Sequence, residues 1–529
     1  MCARIFIAGL LLLLVGCAKD PGRSTQLHKT TANLVHPNNS VLSIDSTFLM
    51  LSAKEVKGFY RNHSYKTVWT DEEDRRALLL SIKEAELDGL LSEDYNYTAL
   101  KKLENNKNIS EREAAGYDLL LTKSFYRLAN HLFKGKVTAS SIYPDWALGQ
   151  KKLNSMALLE EGIKNHDINE VLSRCRPKHA VYTGLRKSLK YLNDLPDDSN
   201  FEKITIKESI RPNDSALAVI AVKKKLAYWK DLDANDTSAV YNKQAVKALK
   251  KFQARHGIYP DGVIGQSTVK ALNTTKKQRE EQILVNLERW RWFPYNFGSS
   301  AIIINIPNYM LAVVENEKDT IAMHKIVVGK PDRRTPVLYS KLNYLVINPT
   351  WTVPPTILTE DLTPKATTDR SYFATHNMKI YDNDSNEVTP EEWIPDKAKG
   401  YRYVQQSGTD NALGHIKFNF NNRFSVYLHD TNHREMFSRS RRALSSGCVR
   451  VDKPFELAEI ILGHEDGEWT PEKLQEIVAT GETENIYLKK TNHVHQLYWT
   501  AWMDRNGLQF RNDIYNLDKA LYKKLRKQL

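Results

Sequence analysis

The sequence lacks the short motifs that mark two large classes of hydrolase. No HExxH helix is present, and the histidines and carboxylates around His429, Asp430 and His433 do not complete a set of metal ligands. No GxSxG elbow and no SxxK motif stands at a sensible position, which disfavours a serine nucleophile. The sequence therefore predicts neither a bound metal nor a cofactor.

Cysteine is also scarce, with only four in the chain: Cys2, Cys17, Cys175 and Cys448. If Cys2 is removed and Cys17 acylated, the last two remain, and an exported protein would often join such a pair. We expect both to stay free, because a disulfide would consume the one thiol that has the surroundings of a nucleophile. Cys175 stands between two arginines but has no glycine turn beside it, and we interpret it as incidental.

Long apolar runs are missing apart from residues 5–15, which follow Arg4. This run is too short to span a bilayer comfortably and predicts the core of a signal peptide over residues 1–16. It ends in Leu-Val-Gly-Cys, which resembles a bacterial lipobox, so Cys17 would be lipidated and become the mature N-terminus. Residues 17–40 are polar and would form a tether. An export signal with an incidental cysteine is the alternative.

The charge is strongly basic, with a formal net charge of +13 at pH 7. Nucleic acid is one partner for such a charge, but export removes it from consideration. An anionic wall polymer or a membrane surface fits better. A generally solvated basic surface is at least as good an explanation, because the charge is spread over many segments.

The 529 residues predict two to four domains. Residues 41–212 have helical periodicity, most clearly at 77–87 and 117–132, and we interpret them as a scaffold or interaction surface. Residues 213–275 predict three short helices, with Gly257 capping the second. The order of glycines, turn and apolar positions in this unit resembles the peptidoglycan-binding domain of wall enzymes; any small helical module is the alternative.

The periodicity changes to that of strands after residue 298. Segments 301–306, 310–314, 323–329, 342–347 and 416–420 predict a mostly β, sandwich-like or partly closed catalytic domain over residues 298–490, and a multidomain α+β fold overall. Residues 351–413 are long for a loop and predict an inserted lid subdomain. We expect the lid to present an aromatic face to the active site, made by Trp351, Tyr372, Phe373, Trp393, Tyr401 and Tyr403. Residues 491–529 are expected to form a C-terminal extension that packs on the scaffold.

The most informative stretch runs from His429 to Cys448. His429 closes an apparent strand at residues 424–430, and Cys448 follows Gly447. A thiol nucleophile requires a base to form thiolate and backbone N–H groups to hold an oxyanion. Glycine allows the sharp turn that brings those amides close to a substrate. An ordered histidine and glycine–cysteine pair therefore predicts cysteine-based acyl transfer.

Two neighbouring side chains fit the same chemistry. Tyr427 shares a strand face with His429, where it would orient the ring or line the substrate slot, with cross-strand packing as the alternative. The fixed charge of Arg450 would hold a carboxylate and favour thiolate, with a structural ion pair as the alternative.

Segments 426–431 and 446–451 resemble the L,D-transpeptidase catalytic (YkuD-type) domain, and segments 327–330, 334–336 and 348–355 follow it too. With its helical half and wall-binding unit, the chain is similar to the large murein-crosslinking L,D-transpeptidases of Gram-negative envelopes.

The resemblance implies that Cys448 attacks the diaminopimelate carbonyl of a tetrapeptide stem and expels D-alanine. His429 would act as general base and acid, and the amides of Gly447 and Cys448 as the oxyanion hole. The implied substrate-binding residues are Trp351, Tyr427, Ser446 and Arg450.

One position departs from the family pattern. Many relatives have histidine immediately before the glycine–cysteine pair, where this chain has Ser446, so the role of base rests on His429 alone. The implied product is a 3→3 cross-link to a second stem amine. An L,D-carboxypeptidase or amino-acid exchange enzyme, and a non-catalytic lipid-anchored wall-binding protein, are the alternatives.

The implied partners are peptidoglycan stems and glycan, a membrane through the lipid anchor, and other murein synthases. The implied location is the periplasm of a Gram-negative bacterium, at the outer rather than the inner membrane, because Ala18 after Cys17 gives no inner-membrane retention signal.

Overall fold

The computed structural model describes residues 37–149, 151–233, 236–317, 319–467 and 469–528. The predicted signal peptide, Cys17 and most of the predicted tether lie outside these residues. In the described part, no helix is both long and apolar enough to cross a membrane. The helices concentrate in the N-terminal half and the strands after residue 299, which confirms the predicted α+β fold.

The N-terminal half is built from helices that bury one apolar face each. They are α1 Lys54–Asn62, α2 Glu72–Glu84, α3 Tyr97–Glu104, α4 Glu111–Lys134, α5 Ser155–Asn165, α6 Ile168–Ser173 and α7 Ala180–Asp194. The longest, α4, begins with a capping box between Ser110 and Glu113 and ends at Gly135, whose φ is +90°. The predicted helices at 77–87 and 117–132 are confirmed, although the first tightens into a 3-10 turn at Ala85–Asp88.

Three short helices follow, as predicted: α8 Leu217–Tyr228, α9 Lys243–Arg255 and α10 Gln266–Leu272. Gly257 has a φ of +66° just after α9, which is the left-handed conformation that ends a helix. The next helix, α11 Lys276–Trp292, is buried along most of its length and packs against α7 and α4. It therefore joins the helical half to the sheet-rich half.

The catalytic sheet closes into a ring. Its strands are β2 Ser300–Asn305, β3 Met310–Glu315, β4 Asp319–Gly329, β5 Val337–Ile347, β10 Ile416–Phe420, β11 Leu428–His429, β13 Val449–Val451 and β15 His493–Leu497. They pair in the order β5-β10-β11-β13-β4-β3-β2-β15, and β15 pairs back to β5. Three further strands join this sheet: β1 Trp146–Ala147 and β14 Glu484–Tyr487 on β5, and β12 Ala443–Ser445 on β4. Helices α15 Pro454–Leu462 and α16 Pro471–Thr480 follow β13 along the chain.

The predicted strand at residues 424–430 is mostly wrong. Only Leu428 and His429 form ladder pairs, and Ser425 has a φ of +53°. The side chain of Asn422 holds the preceding segment instead, because its Oδ1 accepts the N–H groups of Phe424 and Val426 at 3.0 and 3.2 Å. Side-chain bonds of this kind compete with a strand ladder for the same backbone groups.

The insertion after residue 350 has its own sheet and its own apolar core. Strands β6 Trp351–Thr352, β7 Met378–Tyr381, β8 Glu387–Val388 and β9 Arg402–Gln405 pair in the order β6-β9-β7-β8. Helices α12 Pro355–Ile357, α13 Thr363–Thr368 and α14 Ser371–Thr375, with a π-helical turn at Leu358–Leu362, complete it.

The expected aromatic face of the lid is wrong for three of its residues. Phe373, Trp393 and Tyr403 are at most 1% exposed inside the lid's own core. An insertion of this size requires apolar side chains for its own stability, and these aromatics supply them.

The predicted C-terminal extension divides in two. Its first strand, β15, belongs to the ring, whereas β16 Ala501–Asp504, β17 Gly507–Phe510 and α17 Asp518–Leu525 pack on the helical half. Helix α17 is held there by an ion pair between Asp518 and Arg289, and by Lys524, which donates to the carbonyl of Ser141 at 2.8 Å.

Candidate active site

The turn that carries Cys448 is fixed by its own side chains. It joins β12 to β13, and Gly447 at its centre has a φ of +117°, a conformation that favours glycine. Ser445 Oγ donates to the carbonyl of Cys448 at 2.6 Å and accepts the Gly447 N–H at 3.2 Å. The Cys448 thiol is partly buried and Ser446 is exposed. The Gly447 amide, a predicted oxyanion donor, is thus already engaged by Ser445.

His429 lies on the strand beside Cys448. Strand β11 pairs in parallel with β13, and His429 stands opposite Arg450. Its Nδ1 lies 2.5 Å from the carbonyl oxygen of Asp430. A carbonyl only accepts, so Nδ1 carries the hydrogen and Nε2 keeps its lone pair. Burial, assisted by the charges of Arg450 and Lys417, lowers the pKa of His429 to about 3.

Tyr427 contacts both His429 and Cys448. Its ring centroid is 5.6 Å from that of His429, nearly perpendicular to it, as the shared strand face predicts. Its backbone N–H and its hydroxyl both hydrogen-bond to the Cys448 sulfur. The side chain of Trp351, at the root of the lid, hydrogen-bonds to the same hydroxyl. Trp351 and Tyr427 therefore form a chain of donors that ends at the thiol.

The resting thiol and imidazole are both neutral at pH 7. Burial raises the pKa of Cys448, and the Tyr427 hydrogen bonds and the charges of Lys417 and Arg450 only partly oppose it. Because the pKa of His429 is lowered as well, proton transfer from sulfur to Nε2 would accompany attack on a substrate instead of preceding it.

Two cations flank this neutral pair without carboxylate partners. Arg450 Nη1 lies 3.4 Å from Thr431 Oγ1 and 3.2 Å from the sulfur of Met436, and its Nε is buried without a partner. In the described ranges, neither Arg450 nor Lys417 forms an ion pair with a carboxylate. Among the described residues no close ion pair therefore accounts for Arg450, although the charge of Glu435 acts on it from a greater distance. The two cations give the site a positive character that suits an anionic substrate.

Ser446 is tied to the lid through Arg333. Arg333 Nη1 donates to Ser446 Oγ at 2.9 Å and to Asp361 at 2.5 Å, and the same guanidinium pairs with Glu360. Both carboxylates belong to the π-helical turn Leu358–Leu362. One arginine thus connects the lid to the residue that precedes the glycine–cysteine pair.

The C-terminal segment reaches the same turn. Thr335 Oγ1 donates to the Gly447 carbonyl at 2.8 Å and accepts the Gly329 N–H at 2.9 Å. The Tyr515 hydroxyl accepts the Thr335 N–H at 3.1 Å and donates to the Gly329 carbonyl at 2.8 Å. Tyr515 and Thr335 are 2% and 1% exposed, so this chain of hydrogen bonds is shielded from water.

Other candidate groups lie elsewhere. Cys175 is buried and free, and burial raises its pKa to about 12, so it is not a competing nucleophile. In the residues that the structure describes, one set of three metal-type ligands occurs, made by Asp71, Asp74 and His166 of the scaffold. Asp71 already caps α2 and Asp74 already bonds His166, so these groups have protein partners.

The sequence pattern missed four residues of this site: Arg333, Thr335, Lys417 and Tyr515. Thr335 stood in a segment that follows the family pattern, but its contact with Gly447 did not show there. The other three act through contacts between distant segments, and only the strand register places Lys417 opposite His429.

Comparison with known proteins accounts for most of the chain. Residues 299–507 match the family described as "L,D-transpeptidase catalytic domain", residues 54–189 match "Scaffold domain", and residues 215–272 match "Putative peptidoglycan binding domain". A curated protein of Haemophilus influenzae, "Putative L,D-transpeptidase", is 36% identical over 287 residues, which cover 54% of this chain and 57% of that protein.

Solved L,D-transpeptidases are similar over about half the chain. Those of Xylanimonas cellulosilytica and Stackebrandtia nassauensis are each 14% identical, cover 55% and 54% of this chain and 98% and 94% of their own, and have TM-scores of 0.18 and 0.21. These scores are too low to support an argument. The family matches carry the comparison: along the chain, one region matches a scaffold domain, the next a peptidoglycan-binding domain and the third an L,D-transpeptidase catalytic domain. The chain spans little more than half the length of the curated relative that it matches.

Proposed function

We propose that the chain is a murein L,D-transpeptidase that forms 3→3 cross-links with Cys448 as its nucleophile. The observation that supports this most directly is the neutral thiol and imidazole pair inside the matched catalytic domain. Cys448 is partly buried within a glycine turn, and the neighbouring His429 keeps an Nε2 lone pair because its Nδ1–H is bonded to Asp430. A neutral base beside a neutral thiol is the arrangement that general-base activation requires.

In the proposed reaction, the sulfur attacks the carbonyl of the L-centre of diaminopimelate in a tetrapeptide stem as its proton moves to His429. The amide bond to the terminal D-alanine then breaks, and His429 returns the proton to the leaving amine. A side-chain amine of a second stem attacks the thioester, which releases the thiol and forms the cross-link. Every proton in this sequence passes through one imidazole, consistent with Ser446 in place of a second histidine.

The neighbouring residues have separate roles in this proposal. Arg450 holds a stem carboxylate, and the absence of a carboxylate within ion-pair distance of it, in the part of the chain that the structure describes, supports that role. Trp351 and Tyr427 line the donor slot and hold the sulfur through the tyrosine hydroxyl. The amides of Gly447 and Cys448 receive the oxyanion, for which the Gly447 N–H must leave Ser445 Oγ.

The rest of the chain would hold this site close to peptidoglycan. The peptidoglycan-binding match at residues 215–272 supports peptidoglycan stems and glycan as partners. Lipidation of Cys17 would anchor the protein in the periplasm of a Gram-negative bacterium, at the outer membrane, and other murein synthases would be its further partners. Nucleic acid has no part in this proposal, and the positive site suits the acidic stems.

The test compares the parent protein with Cys448→Ala on isolated muropeptides, with Cys175→Ala as the matched control. We expect 3→3 dimers and free D-alanine from the parent and the control, and neither from Cys448→Ala. Release of D-alanine without dimers would establish the carboxypeptidase or exchange reaction instead. Unchanged dimer formation by Cys448→Ala would refute the cysteine mechanism.

A carbapenem gives a second, faster readout. The strained lactam carbonyl is open to the same attack, so the parent should gain one covalent adduct on the peptide that contains Cys448. An adduct on Cys175, or none at all, would count against the assignment and favour a non-catalytic wall-binding protein.

A further inference from the structure

Lys417 is a charged residue in the reacting region to which the proposed reaction gives no role. It lies on β10, and its Cα is the direct antiparallel partner of the Cα of His429 on β11. Its ammonium lies 4.2 Å from the centroid of the Tyr427 ring, the same ring that contacts His429 and whose hydroxyl bonds the Cys448 sulfur. The ammonium therefore contacts the one aromatic ring that lies against both His429 and Cys448.

Burial of this cation has an energetic cost that its surroundings do not fully offset. Lys417 is partly buried, and burial lowers its pKa, while the nearby Cys448 favours its charged form. In the described segments it has no carboxylate ion pair. The face of Tyr427 supplies a cation–π contact, which is worth roughly 0.5–2 kcal/mol depending on solvent access. A partly buried charge acts more strongly on its neighbours than a fully solvated one, and among the described residues no paired carboxylate offsets it.

The groups facing the thiol have distinct effects on it. Arg450 and Lys417 are positive, Tyr427 donates hydrogen bonds, and His429 is neutral. Both cations favour the thiolate, and both disfavour a second positive charge on the imidazole. Arg450 is assigned to a stem carboxylate in the proposed reaction, and such a carboxylate would neutralise it when the donor binds. Lys417 would then be the cation that remains available to the sulfur.

We propose that Lys417 is an electrostatic positioning residue of this site: its ammonium, held over Tyr427 and opposite His429, favours the Cys448 thiolate and keeps the imidazole unprotonated. The inference rests on Cys448 as the nucleophile of the proposed function. It adds a residue that acts through charge, without bonding to the substrate. Arginine should replace it and an uncharged side chain of similar size should not.

The experiment measures alkylation of Cys448 by iodoacetamide in the full-length protein from about pH 5 to 10, with the adduct mapped by mass to the peptide containing Cys448. The variants are Lys417→Met, Lys417→Gln and Lys417→Arg. Lys473→Met is the matched control, because Lys473 also lies over an aromatic ring, 4.7 Å from the centroid of Trp469, but on an exposed helix. The readout needs no murein substrate.

We expect Lys417→Met to move the midpoint of the alkylation profile upward by about one pH unit and to slow alkylation at neutral pH on the order of tenfold. Lys417→Gln should do the same, which keeps the test informative if the methionine variant fails to fold. Lys417→Arg and Lys473→Met should stay within about twofold of the parent, because each keeps the charge at the site.

Two outcomes would overturn the proposal. One is a parent-like profile in both uncharged variants, which would make Lys417 a packing residue. The other is an equal shift in Lys417→Arg, which would show that shape and not charge matters. Neither outcome bears on whether Cys448→Ala abolishes cross-linking, so failure of this inference and failure of the proposed function are distinguishable.

Discussion

The hydrogen-bond chain from Tyr515 to the Gly447 turn allows a quantitative prediction about a residue beyond the matched catalytic domain, which ends at residue 507. The change is Tyr515→Phe, which removes one hydroxyl and leaves the ring in place. That hydroxyl satisfies the Gly329 carbonyl and the Thr335 N–H, both of them buried. Thr335 in turn holds the Gly447 carbonyl.

The expected cost follows from the two groups left unpaired. A buried polar group without a partner costs about 1–3 kcal/mol, so two such groups make local opening easier by at least about 2 kcal/mol. Since about 1.4 kcal/mol corresponds to a factor of ten, the open population of the loop should rise on the order of 30-fold. The helical scaffold, which does not share these bonds, should be unaffected.

Hydrogen exchange read by mass spectrometry on the full chain measures this directly. We expect faster exchange in peptides covering residues 327–336 and 443–451 and no change in α4. Thr335→Val should loosen residues 443–451 as well, because it removes the hydroxyl that reaches Gly447. Tyr487→Phe is the matched control, since Tyr487 is 72% exposed and loss of its hydroxyl leaves no buried polar group unpaired. Parent-like exchange around Gly447 in Tyr515→Phe would refute the positioning chain.

Two further predictions concern the lid and acid stability. Arg333→Met should increase hydrogen exchange in the π-helical turn Leu358–Leu362 while lowering overall stability by less than about 1 kcal/mol, because both carboxylate partners are more than 40% exposed. High salt should have the same effect on the parent protein. Unchanged exchange in this turn would contradict the role of Arg333 in holding the lid. Burial lowers the pKa of His131 to about 3 from its usual 6.5, so its neutral form contributes stability that is complete above pH 6.5 and is lost as the pH falls toward 3. At pH 4.5 that loss is on the order of 3 kcal/mol. Thermal unfolding of His131→Gln should therefore depend less on pH between 7 and 4.5 than that of the parent, and equal slopes would contradict this assignment.

The parts of the fold that were predictable are those encoded by neighbouring residues. Strands β2, β3 and β10 lie within one residue of the segments that their apolar patterns predict. The helix end at Gly257 was also predictable, because glycine readily adopts the positive φ that a helix end favours, and Gly257 has a φ of +66°. These features require no knowledge of distant contacts.

The parts that failed depend on distant or competing contacts. Phe424 and Val426 have strand-forming side chains, but their backbone N–H groups donate to Asn422 Oδ1 instead of to a strand ladder. The lid aromatics looked available for a substrate, but Phe373 and Trp393 pack against each other at 5.1 Å in the lid core. Closure of the ring depends on β15 reaching β5, which no local pattern shows.

The candidate site divides in the same way. Cys448, His429 and Gly447 were predicted because the chemistry of acyl transfer demands those residue types in order, and their catalytic roles stay a prediction. Tyr427 was placed by strand alternation, and the ring contact with His429 agrees. Lys417 and Arg333 were not predicted as site residues, because a lysine in an alternating strand and an arginine in a loop are common on protein surfaces. Only the strand register and the position of the lid show that they lie at the site.

The neutral resting pair and the unpaired cations together give donor binding a chemical consequence. Burial, together with the charges of Arg450 and Lys417, lowers the pKa of His429 to about 3, so the imidazole is a weak base. A stem carboxylate that pairs with Arg450 removes one of these charges from the field at His429 and thereby raises its basicity. The same carboxylate leaves Lys417 to favour the developing thiolate. In the proposed reaction, a donor whose carboxylate pairs with Arg450 therefore strengthens the base as it binds, while burial continues to hold the pKa of His429 low.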